Sequence, residues 1–173
     1  KRELLEELPE NIYWYKHRTL ENKKKIQKIE DLFEVQKGSI QSTKAIPGNY
    51  TFITASNDFK SHNSFTHDTS AVIYAVQSSG SLGRAHYYSG KFIASGLTLI
   101  ITNKKEISED INLKFLKYFL DENKKRIIKQ NSRGSSKITI SKNNVKKIEL
   151  PEYSKNEKQK LIEIMPIIQK LLN

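Results

Sequence analysis

The sequence contains no cysteine, which excludes a disulfide scaffold, a thiolate zinc site and a cysteine nucleophile. Its apolar runs are short. Leu97–Ile101 is among the longest, against the ~18 residues that a membrane helix requires, so no membrane partner is expected. The first residues alternate charge without an apolar stretch, which reads as no cleavable export signal and a cytoplasmic protein. Four prolines are present and all are isolated, so the paired-proline signature of an amino-methylating DNA enzyme is missing. No glycine-rich loop ends in Gly-Lys-Ser/Thr, which excludes a nucleotide P-loop. Gly80-Ser81-Leu82-Gly83 lacks a following helix and reads as a turn rather than a dinucleotide fingerprint.

What is present is positive charge. The 173 residues, enough for one domain with a real core, carry 30 Lys plus Arg against 19 Asp plus Glu, a net +11. The balance is uneven: residues 101–150 hold thirteen basic and six acidic residues, +7 of the total. Such a local field attracts phosphate backbones and steers association. A lysine-rich composition from an AT-rich genome gives the same arithmetic, so charge alone does not decide the partner.

The pattern of elements changes along the chain. Residues 1–28 read as a helical arm or junction, with Leu4, Leu5 and Leu8 at helical spacing, Pro9 ending them, and an aromatic cluster at Ile12-Tyr13-Trp14-Tyr15. From Ile29 onward, Leu32–Gln36, Tyr50–Thr54, Ala71–Val76, Arg84–Tyr88 and Leu97–Thr102 are rich in β-branched and aromatic residues. Turn signals separate them at Lys37-Gly38-Ser39, Pro47-Gly48-Asn49, Ser78–Ser81 and Ser89-Gly90-Lys91. Asn112–Gln130 predicts one helix with Leu113, Leu116, Phe119, Leu120, Ile127 and Ile128 near one stripe. Lys137–Ser141 and Val145–Leu150 read as strands closed by Pro151. Ser154 and Glu157 form a capping box for a last helix, in which Pro166 should cost roughly 3 kcal/mol or cause a kink. The predicted fold is α/β (α+β): a twisted, mostly antiparallel sheet with a packed helix, then a C-terminal helix of coiled-coil type.

No catalytic constellation emerges, and neither a metal nor another cofactor is expected. His17, His62, His67 and His86 lack helical metal spacing, and the loop around Asp58, His62, His67 and Asp68 reads better as hydrophilic than as metal-binding. Asp121-Glu122-Asn123-Lys124 imitates part of a nuclease signature but falls on a predicted helix surface. Binding chemistry is richer. Phosphate contacts need cations and hydroxyl or amide donors, and base edges are read by Arg, Asn, Gln, Ser or Thr. Loops at 39–63, 77–88 and 131–137 supply that mixture. The candidate DNA-binding residues are Lys37, Ser39, Gln41, Lys44, Asn57, Lys60, His62, Asn63, Ser79, Ser81, Arg84, His86, Tyr87, Ser132, Arg133, Ser135 and Lys137.

Taken in order, several blocks resemble the target recognition domain of type I restriction–modification specificity subunits. Ile29–Gly38 is similar to that family's opening strand and glycine turn, and Tyr50–Thr54 and Ala71–Gly83 to its next strands and Gly-Ser-x-Gly turn. Tyr87–Ser95 looks like a further block. Ser132-Arg133-Gly134, Ile138–Ser141 and Ile148–Pro151 resemble the closing signature, and Glu157–Ile162 the start of the long spacer helix. The resemblance implies a non-catalytic domain over 29–153 that recognises one half of a split sequence in double-stranded DNA. It also implies a spacer helix from 154 to 173 that pairs with another helix, through which the chain could dimerise. Methylation and cleavage would belong to methyltransferase and restriction subunits or fused domains. A full specificity subunit has two such domains; this chain has one, as in a fragment, a half-size subunit or a fused enzyme. A non-specific nucleic-acid-binding or oligomerisation module is the alternative left open.

Overall fold

A computed structural model of the protein describes residues 25–77, 80–107, 109–134 and 138–172. Residues 1–24 of the expected N-terminal arm lie outside that description. The described part opens with β1 (Ile26–Lys28) and the single turn α1 (Ile29–Leu32). Asp31 caps this turn by accepting the Lys28 N–H at 2.6 Å. Next come β2 (Phe33–Lys37), a 3-10 turn (Ser42–Lys44), β3 (Tyr50–Ile53), β4 (Lys60–His62), β5 (His67–Ala75), β6 (Ala85–Ala94) and β7 (Thr98–Asn103). These strands form one sheet in the order β2-β7-β5-β6-β3-β4. Only the β3–β6 pair is parallel, so the sheet is mostly antiparallel, in agreement with the sequence reading.

The registers require this sheet to curl. Ala75 faces Thr98 across β5–β7, whereas His67 faces Phe92 across β5–β6. In a flat sheet Ala94 and Thr98 would lie about ten residues apart along the strands, roughly 33 Å. The four residues of chain that join them reach no more than about 14 Å. The curl is closed by a seam. Ser39 N–H donates to Ala94 O (3.1 Å), Gly38 N–H to Thr98 O (3.1 Å), and Ile40 bridges Ser95 in parallel. Gly38 is required there because a Cβ would lie 2.1 Å from the Ser95 carbonyl oxygen.

Strand alternation divides the apolar residues between two faces. On one face Val35, Val72, Tyr74, Leu99 and Ile101 pack with Leu113, Leu116, Phe119 and Leu120 of α2 (Asp110–Glu122). On the other, Ile53, Ala71, Ile73, Phe92, Ala94 and Ile100 form a smaller cluster beside Tyr88. Burial of both faces explains why Ala71–Val76 is continuously apolar rather than alternating.

The helix expected over 112–130 is two helices. Asn123 (φ −93, ψ 9) ends α2, and α3 (Lys124–Asn131) follows directly after it. Phe119 O accepts both the Asn123 backbone N–H (3.0 Å) and the Asn123 side-chain amide (2.9 Å), a side-chain bond that competes locally with the helical ladder. A short hairpin, β8 (Ser132–Arg133) and β9 (Thr139–Ile140), comes next. The strand expected from Val145 is corrected: Ser141 caps α4 (Lys142–Lys146) by accepting the Asn144 N–H (3.1 Å), and β10 begins only at Glu149 (Glu149–Pro151). β10 pairs with β1, so residues 26–28 belong to the domain rather than to a separate arm. The last helix, α5 (Lys155–Leu172), starts at the expected capping box, with Ser154 N–H donating to Glu157 Oε2 (2.8 Å) and Glu157 N–H to Ser154 Oγ (3.3 Å). It continues through Pro166; Leu161 and Ile162 pack against the main core, and Met165 is buried. No helix among the described residues is long and apolar enough to cross a membrane.

Candidate nucleic-acid interface

The seam gathers loops that are far apart in sequence. Gly96 N–H donates to Ile40 O (2.8 Å), and Leu97 O accepts from Val76 N (3.1 Å) and Gln77 N (3.3 Å). Gln77 also bridges Thr139, whose partner in the β8–β9 hairpin is Arg133. The turn after β5 folds back, with Gly83 N–H donating to Ala75 O (2.8 Å). Segments 37–41, 76–77, 80–84, 95–97, 132–134 and 138–140 therefore meet at one end of the sheet. Between Lys37–Gln41 and Ser95–Leu97 lies an open cleft of about 570 Å³.

Seven of the sequence candidates come together here. Lys37, Ser39 and Gln41 are exposed beside the cleft, and Arg133 is exposed on the hairpin. Ser81, Arg84 and Ser132 are half-buried, and Arg84 Nη1 donates to Ser81 Oγ at 3.4 Å. Lys44 lies three residues past Gln41 and bonds back to its carbonyl (2.8 Å). Asn57 is exposed on the loop that carries Phe59, whose ring meets His86 edge-on at 5.0 Å. Lys60 and Asn63 are exposed along the β4 edge, where Asn63 N–H donates to Ile46 O (2.9 Å). Ser79, Ser135 and Lys137 lie outside the described residues.

Two candidates are corrected. His62 is 5% exposed; its Nδ1 takes the Ser64 N–H (3.1 Å) and its ring packs edge-on against Phe52, so it holds the β4–β5 turn instead of facing a ligand. Tyr87 alternates to the helix-packed face of β6, where its hydroxyl donates to Asp110 and Lys114 lies over its ring. His86, its neighbour, faces the other way and is half-buried. Burial holds its imidazole below the ordinary value, opposed by the Ser56 carbonyl, so it is neutral near pH 7. The suspected nuclease-like Asp121 is structural: it pairs with Lys117 (3.1 Å) and accepts the Ala85 N–H (3.2 Å) at the start of β6.

The sequence list missed α3. Gly83 fits against Lys124 and Ile128 of that helix, which sets α3 beside the 80–84 turn with its Lys125, Arg126 and Lys129 exposed. Among the described residues, none of these three, nor Arg133, forms an ion pair. Unpaired, exposed cations on a short helix suit a phosphate backbone. The signal was present in the charge of residues 101–150, but only the packing of Gly83 shows which loop it serves. The described residues contain no cluster of three or more His, Asp or Glu side chains arranged to hold a metal.

Comparison with known proteins bears on the family and the fold. A family model described as the type I restriction modification DNA specificity domain matches residues 21–173. No curated protein matches the chain by sequence. The type I restriction–modification S subunit from M. genitalium is similar over 87% of this chain and 41% of that one, with a TM-score of 0.66 at 20% identity. A structure concerned with complex assembly and conformational transition of the type I R-M system gives a TM-score of 0.63 at 12% identity, over 85% of this chain and 38% of that one. The HsdS subunit from Thermoanaerobacter tengcongensis gives 0.59 at 10% identity, over 85% and 37%. The chain thus spans 37–41% of the length of these structures, and at such identities the likeness concerns the fold. The resemblance read from the sequence blocks is borne out, and so is the expected fold. The mostly antiparallel sheet, the cationic sheet end and the family match lead to one conclusion: this chain belongs to the type I restriction–modification DNA specificity domain family, a non-catalytic one.

Proposed function

We propose that this domain recognises one half of a split DNA sequence and so positions the methyltransferase and restriction components of a restriction–modification system. The observation that carries the reading is the meeting of segments 37–41, 76–77, 80–84, 95–97, 132–134 and 138–140 at one sheet end, beside the cations of α3 that form no ion pair among the described residues. In this reading Lys125, Arg126 and Lys129 hold phosphates, while Gln41, Ser39, Arg84 and Arg133 reach base edges. α5 starts a spacer that pairs with a second helix; Ile167, 57% exposed, lies on it without cover. The domain works in the cytoplasm, where its DNA is.

Selection from a randomised duplex pool at two salt concentrations tests this. A short recovered motif is expected, with affinity falling as salt rises. Three phosphates neutralised by Lys125, Arg126 and Lys129 give a log–log slope of roughly −2.7. Equal binding to every duplex would leave only the non-specific reading.

A further inference from the structure

Leu97 is an apolar side chain fixed where a turn ordinarily carries a polar one. It stands between β6 and β7 with 38% of its surface exposed. Its backbone is fully engaged: its N–H donates to Ser95 Oγ (3.3 Å), and its carbonyl accepts from both Val76 and Gln77. Thr98 locks the same turn, its N–H (2.9 Å) and hydroxyl (2.8 Å) both donating to Ser95 O. These bonds fix the direction in which the Leu97 Cα–Cβ bond leaves the turn. Ile138, 46% exposed, precedes Thr139 and so stands on the other flank of Gln77. Beyond the two aliphatic groups are cations, Lys37 at the cleft and Arg133 opposite Thr139.

A single exposed leucine needs no explanation. Leu97 on a hydrogen-bonded turn, with Ile138 on the other flank of Gln77 and cations outside them, has the composition of a groove-reading surface: an apolar centre and a charged rim. The apolar group that DNA presents in its major groove is the C5 methyl of thymine. Resting on the reading of this sheet end as the DNA contact, we propose that Leu97 is a specificity-determining residue that packs against the C5 methyl of a thymine in the recognised half-site.

The test uses the full chain and the duplex recovered by selection, with each thymine replaced in turn by deoxyuridine. That change deletes the methyl and keeps the hydrogen-bonding pattern. The native protein is expected to lose about fourfold in affinity at one position, the effect of one methyl-sized group left in water. Leu97→Ala should bind the thymine duplex more weakly and show no further loss with deoxyuridine, whereas Leu97→Met keeps the sensitivity. The exposure of Leu97 leaves folding of these variants intact, and matching melting curves check it. Thymines indifferent to the methyl, or equally sensitive in Leu97→Ala, overturn this proposal alone. A pool that yields no motif overturns the recognition reading as well.

Discussion

Gly38→Ala should open the seam on which the interface depends. Its Cβ would lie 2.1 Å from Ser95 O, 2.7 Å from Ser95 C and 2.8 Å from Ala94 O, all backbone atoms that cannot rotate away. Reaching an ordinary contact of 3.4 Å or more requires the two strand ends to separate by over 1 Å. Such overpacking costs about 1–3 kcal/mol. The bonds from Gly38 N to Thr98 O and from Ser39 N to Ala94 O are lost or stretched, at about 0.5–1.5 kcal/mol each. The expected destabilisation is about 2–6 kcal/mol, or a fall in melting temperature of roughly 5–20 °C for a domain of this size. Gly80→Ala is the control: Gly80 has φ +81 but no atom within 4 Å, so only left-handed strain of about 1–2 kcal/mol applies. Circular dichroism melts of both variants measure the difference. A Gly38→Ala protein that melts within about 2 °C of the native chain, or no lower than Gly80→Ala, refutes the close-approach argument.

Three further outcomes follow from named contacts. Asp121→Ala removes the Lys117 ion pair and leaves the Ala85 N–H without its acceptor; a loss of about 1–3 kcal/mol is expected in urea unfolding, and an unchanged midpoint contradicts it. Burial lowers His86, helped by Arg84 and Lys117 and opposed by the Ser56 carbonyl and Asp121, and burial also lowers His67. Because the unfolded chain then binds more protons below 6.5, the ordinary histidine value, stability is full above it and declines as pH falls below it. His86→Gln should flatten part of that decline, and melting temperatures level from pH 7.5 to 5.5 in the native chain rule it out. Ile167→Asp should weaken self-association through α5 in sedimentation, whereas a native chain monomeric at every concentration contradicts pairing of two copies.

The elements with a clean period were legible. β2, β3, β5 and β7 appear within a few residues of their β-branched runs, and the Ser154–Glu157 box marks the start of α5. β4 was not legible because Lys60-Ser61-His62 has no apolar alternation; its place is set by pairing with β3. Val145, Ile148 and Leu150 are all buried, yet α4 contributes the first and β10 the last, a mixed period that looks like a strand. At the interface, Lys37, Gln41, Arg84 and Arg133 were visible as loop residues of the right chemistry. Their meeting was not, since it depends on the curl, and the curl follows from registers that no local pattern encodes. Leu97 was read as the start of a strand, and nothing in its neighbours marks a fixed, outward-facing turn.

The division of labour between sheet end and helix is tested most directly by comparing two variants on every single-base change of the selected duplex. Arg84→Ala is expected to lose about 1–3 kcal/mol and to relax one base-pair position, as a bidentate contact to guanine requires. The triple change Lys125→Ala, Arg126→Ala and Lys129→Ala is expected to weaken all sequences alike and to reduce the salt slope by about 3. A uniform loss from Arg84→Ala together with a position-specific loss from the α3 variant would contradict the assignment.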